Sequence, residues 1–297
     1  MFCPDILART LSVPCTGGGK GYAYGNSWQY HSRSDRHSKV ACWGLTFDLL
    51  VSCPLLREHI EQGKVKFGIN HEMRDFRNNK KKNLDLVLCH ASAAGTTGGS
   101  RGGGRGATSF AQLAQSYGIN LLSSEAAALT KLPRLEIASV SSVLLVIEAK
   151  AAMTSFLKAR PRLKDELGSS FQTIHGDTES AIAAGLVLVN TSNDFVSPDR
   201  NKFTLGGACP TDISLHQQPR NAIQVIEGLR EIQRRSKVGD VGFDGLGVLL
   251  VNCRNDGVTP VTVNTSDPAI LQANDDFEYG RFVQRLAHIY ATRFAGL

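Results

Sequence analysis

The eight residues Val143-Leu144-Leu145-Val146-Ile147-Glu148-Ala149-Lys150 decide how this chain is read. Five apolar residues run unbroken into a carboxylate, an alanine and an ammonium, the pattern of a buried central strand that ends by presenting charge. Alternate side chains of a strand share a face, so Glu148 and Lys150 point the same way, about 6–7 Å apart along the backbone, while Ala149 faces the other side. Upstream, Leu84-Asp85-Leu86-Val87-Leu88 has the same apolar character, interrupted by an acid that a core does not choose. If the two strands pair, Asp85, Glu148 and Lys150 meet at one edge of a sheet.

Asp85 followed by Glu148-Ala149-Lys150 resembles the Asp…Glu-x-Lys signature of the PD-(D/E)XK nuclease superfamily, to which many restriction endonucleases belong. The resemblance covers the core from about residue 58 to 189. Leu84 stands where the family name has Pro, and 62 residues separate Asp85 from Glu148, so an insertion packed beside the sheet is expected between them. The resemblance implies an α/β fold, a central mixed β-sheet flanked by helices in a restriction-endonuclease-like core with insertions. It also implies an Mg²⁺-dependent DNA endonuclease of the type II restriction kind. Asp85 and Glu148 would hold the metal, with the backbone carbonyl of Ala149 as a third ligand and Glu72 as an extra acid on a helix before the Asp strand. Lys150 would orient the attacking water or help to deprotonate it. A homodimer acting on duplex DNA, and a cognate methyltransferase, are further expectations from the resemblance.

The chemistry accounts for these residue types. Phosphodiester cleavage needs an attacking water and a stabilised, doubly charged pentavalent state, and Mg²⁺ supports both when one or two carboxylates hold it with positions left for water and phosphate.

The 297 residues carry a formal net charge of +6, unevenly placed. Residues 1–110 hold 15 Lys+Arg against 8 Asp+Glu, and the remainder 18 against 19. A basic half preceding the acid cluster is the electrostatic footprint of a polyanion binder. Candidate DNA contacts are Arg33, Arg36 and Lys39, in a segment where Trp28, Tyr30 and Trp43 interleave with cations. There the rings either stack on bases or anchor a loop to the core. Lys80, Lys81 and Lys82 abut the Asp85 strand, and Lys158 and Arg162 lie on a basic helix after Lys150, bent or restarted at Pro161. Residues 169–177 read as a polar connection in which His175 is a candidate contact.

The chain is expected to form a single domain over 1–297, with a basic N-terminal region (about 1–57) and a Gly-rich insertion (about 91–140). Seven cysteines without a C-x₂-C pair argue for reduced thiols. Together with the lack of a long apolar run, this predicts a cytoplasmic protein. Thr16-Gly17-Gly18-Gly19-Lys20-Gly21 lacks the spacing of a phosphate loop, which disfavours a nucleotide-dependent enzyme. The remaining rival is a DNA-binding protein on the same fold that does not cut, its acids merely capping a strand.

Overall fold

The computed structural model describes residues 1–16, 22–75, 79–90, 107–140 and 142–297. The Gly17 to Gly21 run, Arg77 and the Gly-rich stretch carrying Arg101 and Arg105 lie outside the described residues.

The N-terminal third is helical. Helix α1 (Cys3–Ser12) packs on α2 (Arg36–Ser52), whose buried residues go all the way round because α1, the sheet and the C-terminal helix each cover a side. Extended backbone at Cys53 ends α2, and Pro54 opens α3 (Pro54–Glu61) at the position where a missing N–H costs nothing. Asp48, buried in α2, accepts the backbone N–H groups of Phe2 and Cys3 at 2.6 and 3.0 Å and the Tyr279 hydroxyl at 2.8 Å. It thereby satisfies the free amides at the start of α1 and ties three elements together.

Strands β1 (Val65–Asp75) and β2 (Lys80–His90) form an antiparallel pair. Helices α4 (Phe110–Ser116) and α5 (Ser123–Thr130) fill the insertion, and β3 (Val143–Ala152) returns antiparallel to β2. Helix α6 (Phe156–Asp177) crosses over to β4 (Ile182–Asn190), parallel to β3. A small hairpin, β5 (Asp194–Val196) with β6 (Ile213–Leu215), precedes α7 (Arg220–Arg230). Strand β7 (Gly245–Asn252) is parallel to β4, β8 (Thr262–Asn264) closes the edge antiparallel to β7, and α8 (Tyr279–Arg293) ends the chain. The central sheet is mixed and six-stranded, in the order β1-β2-β3-β4-β7-β8.

Two cores sandwich it. Leu145, Ile147, Ala149, Leu186 and Leu249 face α1, α2 and α8, while Val146, Val187 and Val248 face Leu163, Leu167 and Phe171 of α6 and Val225 and Leu229 of α7. Period-2 alternation of β3 is therefore what divides the core into two. At one end of the sheet the Asp244 carboxylate gathers Arg235 at 3.0 Å, Arg293 at 2.7 Å and His175 at 3.7 Å. Arg235 and Asp244 are fully buried, so the pair ties the segment after α7 to the start of β7 where neither charge has water, and Arg293 joins the end of α8 to it. His175 is thus part of a structural cluster.

Two sequence expectations are corrected. The segment from His71 to Asp75 is the second half of β1, which places Glu72 on a strand instead of a helix. Residues 169–177 are not a connection but the last turns of α6. The stripe Leu163, Leu167, Phe171 and Ile174 continues the buried face, and the Ser170 and Thr173 hydroxyls fold back onto carbonyls four residues earlier. Pro161 sits inside this single helix, close to its start. Among the described residues no single helix is long and apolar enough to cross a membrane.

Candidate active site

The ladder between β2 and β3 ends at Leu86 opposite Ile147. On the other side of β2 the pairing with β1 skips one position between Ile69–Leu86 and His71–Leu84, where Asn70 takes a left-handed φ of 48°, a conformation Asn tolerates better than most residues. Asp85 occupies this gap. Its Oδ2 accepts the Ala149 N–H at 3.1 Å, a side chain standing where a ladder carbonyl would otherwise be. Because N–H and C=O of one strand residue face the same neighbour, the Ala149 carbonyl lies on that same side, beyond the end of the ladder. The Cys42 thiol of α2 approaches Asp85 at 4.0 Å, and burial together with Asp85 and Glu148 holds it protonated, well above its ordinary range.

Glu148, on the face of β3 covered by α6, is 1 % exposed. Its Oε1 lies 2.7 Å from the Lys150 Nζ and 3.8 Å from the Lys82 Nζ, while its Oε2, equally buried, has no hydrogen-bond partner. Lys150 is also 3.9 Å from an oxygen of Glu166 on α6. The Asp85 carboxyl is raised above the usual carboxylate range, first by burial and then by the Glu148 charge. Burial pulls Lys150 down, but Glu148, Asp85 and Glu166 outweigh it, so the net shift is upward and the amine stays an ammonium at neutral pH. Lys82 goes the other way: its burial outweighs the same carboxylates.

The structure thus brings Asp85, Glu148, Lys150 and the Ala149 backbone together. Glu72 is not brought in; its half-exposed carboxylate pairs with Lys81 at 2.9 Å on the outer part of the β1–β2 ribbon. Lys82 is turned inward, donating to the Glu166 carbonyl and the Ser170 hydroxyl at 2.5 Å each, so it belongs to the acid cluster and not to an outer surface. Arg36 caps the end of α1 by donating to the Thr10 and Val13 carbonyls. Trp28 and Trp43 are fully buried and anchor the N-terminal segment to the core, which leaves them no ring face for a base. Arg33 pairs with Asp199, Lys39 with Asp35, Lys80 reaches Gln172, and Lys158 and Arg162 lie one turn apart on the exposed side of α6. Arg162 reaches Glu166 at 3.4 Å, which links that exposed side to Lys150.

Glu166 and His37 are additions that the strand pattern did not single out. The His37 ring lies tilted against Tyr30 with centroids 4.8 Å apart, and burial followed by the nearby Lys150 charge lowers its pKa to about 4, so the ring is neutral. A signal for Glu166 existed in its i,i+4 spacing from Arg162.

Compared with models of known protein families, with curated proteins and with solved structures, the chain matches none.

Proposed function

We propose that the protein is a divalent-metal-dependent DNA endonuclease on a restriction-endonuclease-like core, with Asp85 and Glu148 as its carboxylate ligands. The observation that carries this reading is the unpartnered Oε2 of Glu148: a fully buried carboxylate oxygen that no hydrogen bond uses, one strand away from a second carboxylate. Antiparallel β2 and β3 followed by α6 and a parallel β4 supports the core that the resemblance implies.

The donors present fit a hard cation. Asp85, Glu148 and the Ala149 carbonyl offer oxygen only, and the soft sulfur of Cys42 is a poor match for such a cation. Mg²⁺ at such a site supplies charge to phosphate oxygens and acidifies a bound water. The chain's own contribution is electrostatic and positional. Lys150, beside Glu148 and Glu166, would orient the attacking water or the scissile phosphate through Nζ, or help to deprotonate that water. Lys82 places a second ammonium beside Glu148. The exposed Lys158 and Arg162 on α6 are suited to the phosphates flanking the cut, and a homodimer would supply the second cut of a duplex.

The 2.7 Å Lys150–Glu148 pair favours one rival, a DNA-binding protein whose cluster is self-neutralised and needs no metal. Incubation of the purified protein with supercoiled plasmid in Mg²⁺ and in EDTA separates the two. The nuclease reading expects nicked or linear product only with Mg²⁺, and a rate lower by about 10²-fold or more in Asp85→Ala and Lys150→Ala. Uncut DNA retained equally well in EDTA, or cleavage undiminished in both variants, would contradict it.

A further inference from the structure

A cleft at the start of β7, remote in sequence from Asp85 and Glu148, has a volume of about 820 Å³. One wall is the outer face of α8, where Arg281, Gln284, Arg285 and His288 recur at helical spacing; the other carries Arg230, the last residue of α7, and Arg234 just beyond it. Arg235 underlies the cleft but is spent on Asp244 and on the carbonyls of Glu179 and Ala181.

The remaining guanidinium groups are held in place without being used up. Arg230 and Arg234 lie over the Phe277 ring at 5.1 and 5.0 Å, each with an aspartate partner, Asp275 and Asp276. Arg285 is fixed by donating from Nε to the Asp244 carbonyl at 2.6 Å and from Nη2 to the Arg235 carbonyl at 3.2 Å, contacts that leave its charge without a carboxylate partner among the described residues. Arg281 projects into the same space with no acidic partner among the described residues. Four arginines facing one cleft repel each other, and two carboxylates do not balance them. Planar, pre-positioned guanidinium forks are the groups that bind phosphate oxygens in pairs, and the volume is that of a small-molecule site.

We infer that this cleft binds the adjacent phosphate groups of a nucleotide, either free or at the end of a polynucleotide strand, independently of the Asp85–Glu148 centre.

The test is calorimetric titration of the full chain, near physiological salt, with ATP, inorganic pyrophosphate and a short single-stranded oligonucleotide. The proteins are wild type, the double variant Arg234→Gln/Arg281→Gln, Lys131→Gln as an exposed control outside the cleft, and Asp85→Ala. Arg234 and Arg281 are exposed, so thermal melts should show the double variant folded. The expected result is binding of at least one phosphate probe, weakened about tenfold or more in the double variant and unchanged in Lys131→Gln and Asp85→Ala. ATP binding identifies the free nucleotide as the source, and oligonucleotide binding alone identifies the strand. No binding of any probe, binding undiminished in the double variant, or binding lost in Asp85→Ala would overturn the inference. Because Asp85→Ala removes the proposed metal ligand alone, failure of the nuclease reading and failure of this one give different results.

Discussion

A carboxylate that is 1 % exposed and leaves one oxygen without a hydrogen bond is costly to keep in a core, and the cost is tolerated where a cation offsets it. In Glu148 the Lys150 ammonium offsets part of it through Oε1, and the proposed metal would meet the rest at Oε2. Asp85 shows the same tension in its protonation. Burial and Glu148 push its carboxyl from 3.8 up to about 6. An acid whose folded-state pKa lies above its unfolded value stabilises the fold at low pH, and that contribution is lost as pH rises through about 6. The metal-free protein should therefore lose about 1–3 kcal/mol of this contribution between roughly pH 4 and 7. Asp85→Asn should lack that slope in denaturant melts across the range, and parallel curves for the two proteins would contradict a raised Asp85 carboxyl. At this scale the shared face of Glu148 and Lys150 was legible, because strand alternation fixes it. The inward turn of Lys82 was not: in the basic run 80–82 only the position of α6 decides which ammonium finds Glu166 and Ser170.

Elements whose apolar period is uninterrupted were legible: β3, β4 and β7 as continuous runs, α7 and α8 as stripes, and the break between α2 and α3 from Pro54. Beyond Ile69, β1 was not, because at the outer edge of the sheet its burial alternates from Glu72 to Asp75 but Met73 is the one apolar residue from 70 to 75, the buried position 75 being an aspartate. The end of α6 hid for a related reason, its serines and threonines bonding back to its own carbonyls. Packing of α8 on the sheet rests on a contact that no pattern in the sequence reveals. A Cβ at Gly247 would lie 2.3 Å from the Phe282 ring. Gly247→Ala must push α8 away from β7, and an unfolding free energy lower by about 1–3 kcal/mol is expected by urea denaturation. A neutral substitution would mean that Phe282 has room to rotate away.

For the whole molecule, net charge by segment was a poor guide to where cations collect. The basic first 110 residues spend Arg36 on a helix end and Lys82 on the acid cluster. The nearly neutral remainder assembles an arginine cleft from residues 230–234 and 281–285, which only the fold brings together. What the sheet order does for function is to lay β2 beside β3, so that Asp85 reaches the Ala149 amide although 62 residues lie between Asp85 and Glu148. The central claim is that Asp85 and Glu148 share one metal ion. Titration of Mn²⁺, a spectroscopic substitute for Mg²⁺, into wild type, Asp85→Asn and Glu148→Gln, followed by electron paramagnetic resonance, tests it directly. The account predicts one bound ion in wild type and its loss in either variant while each remains folded; wild type that binds none, or variants that bind as tightly as wild type, would contradict it.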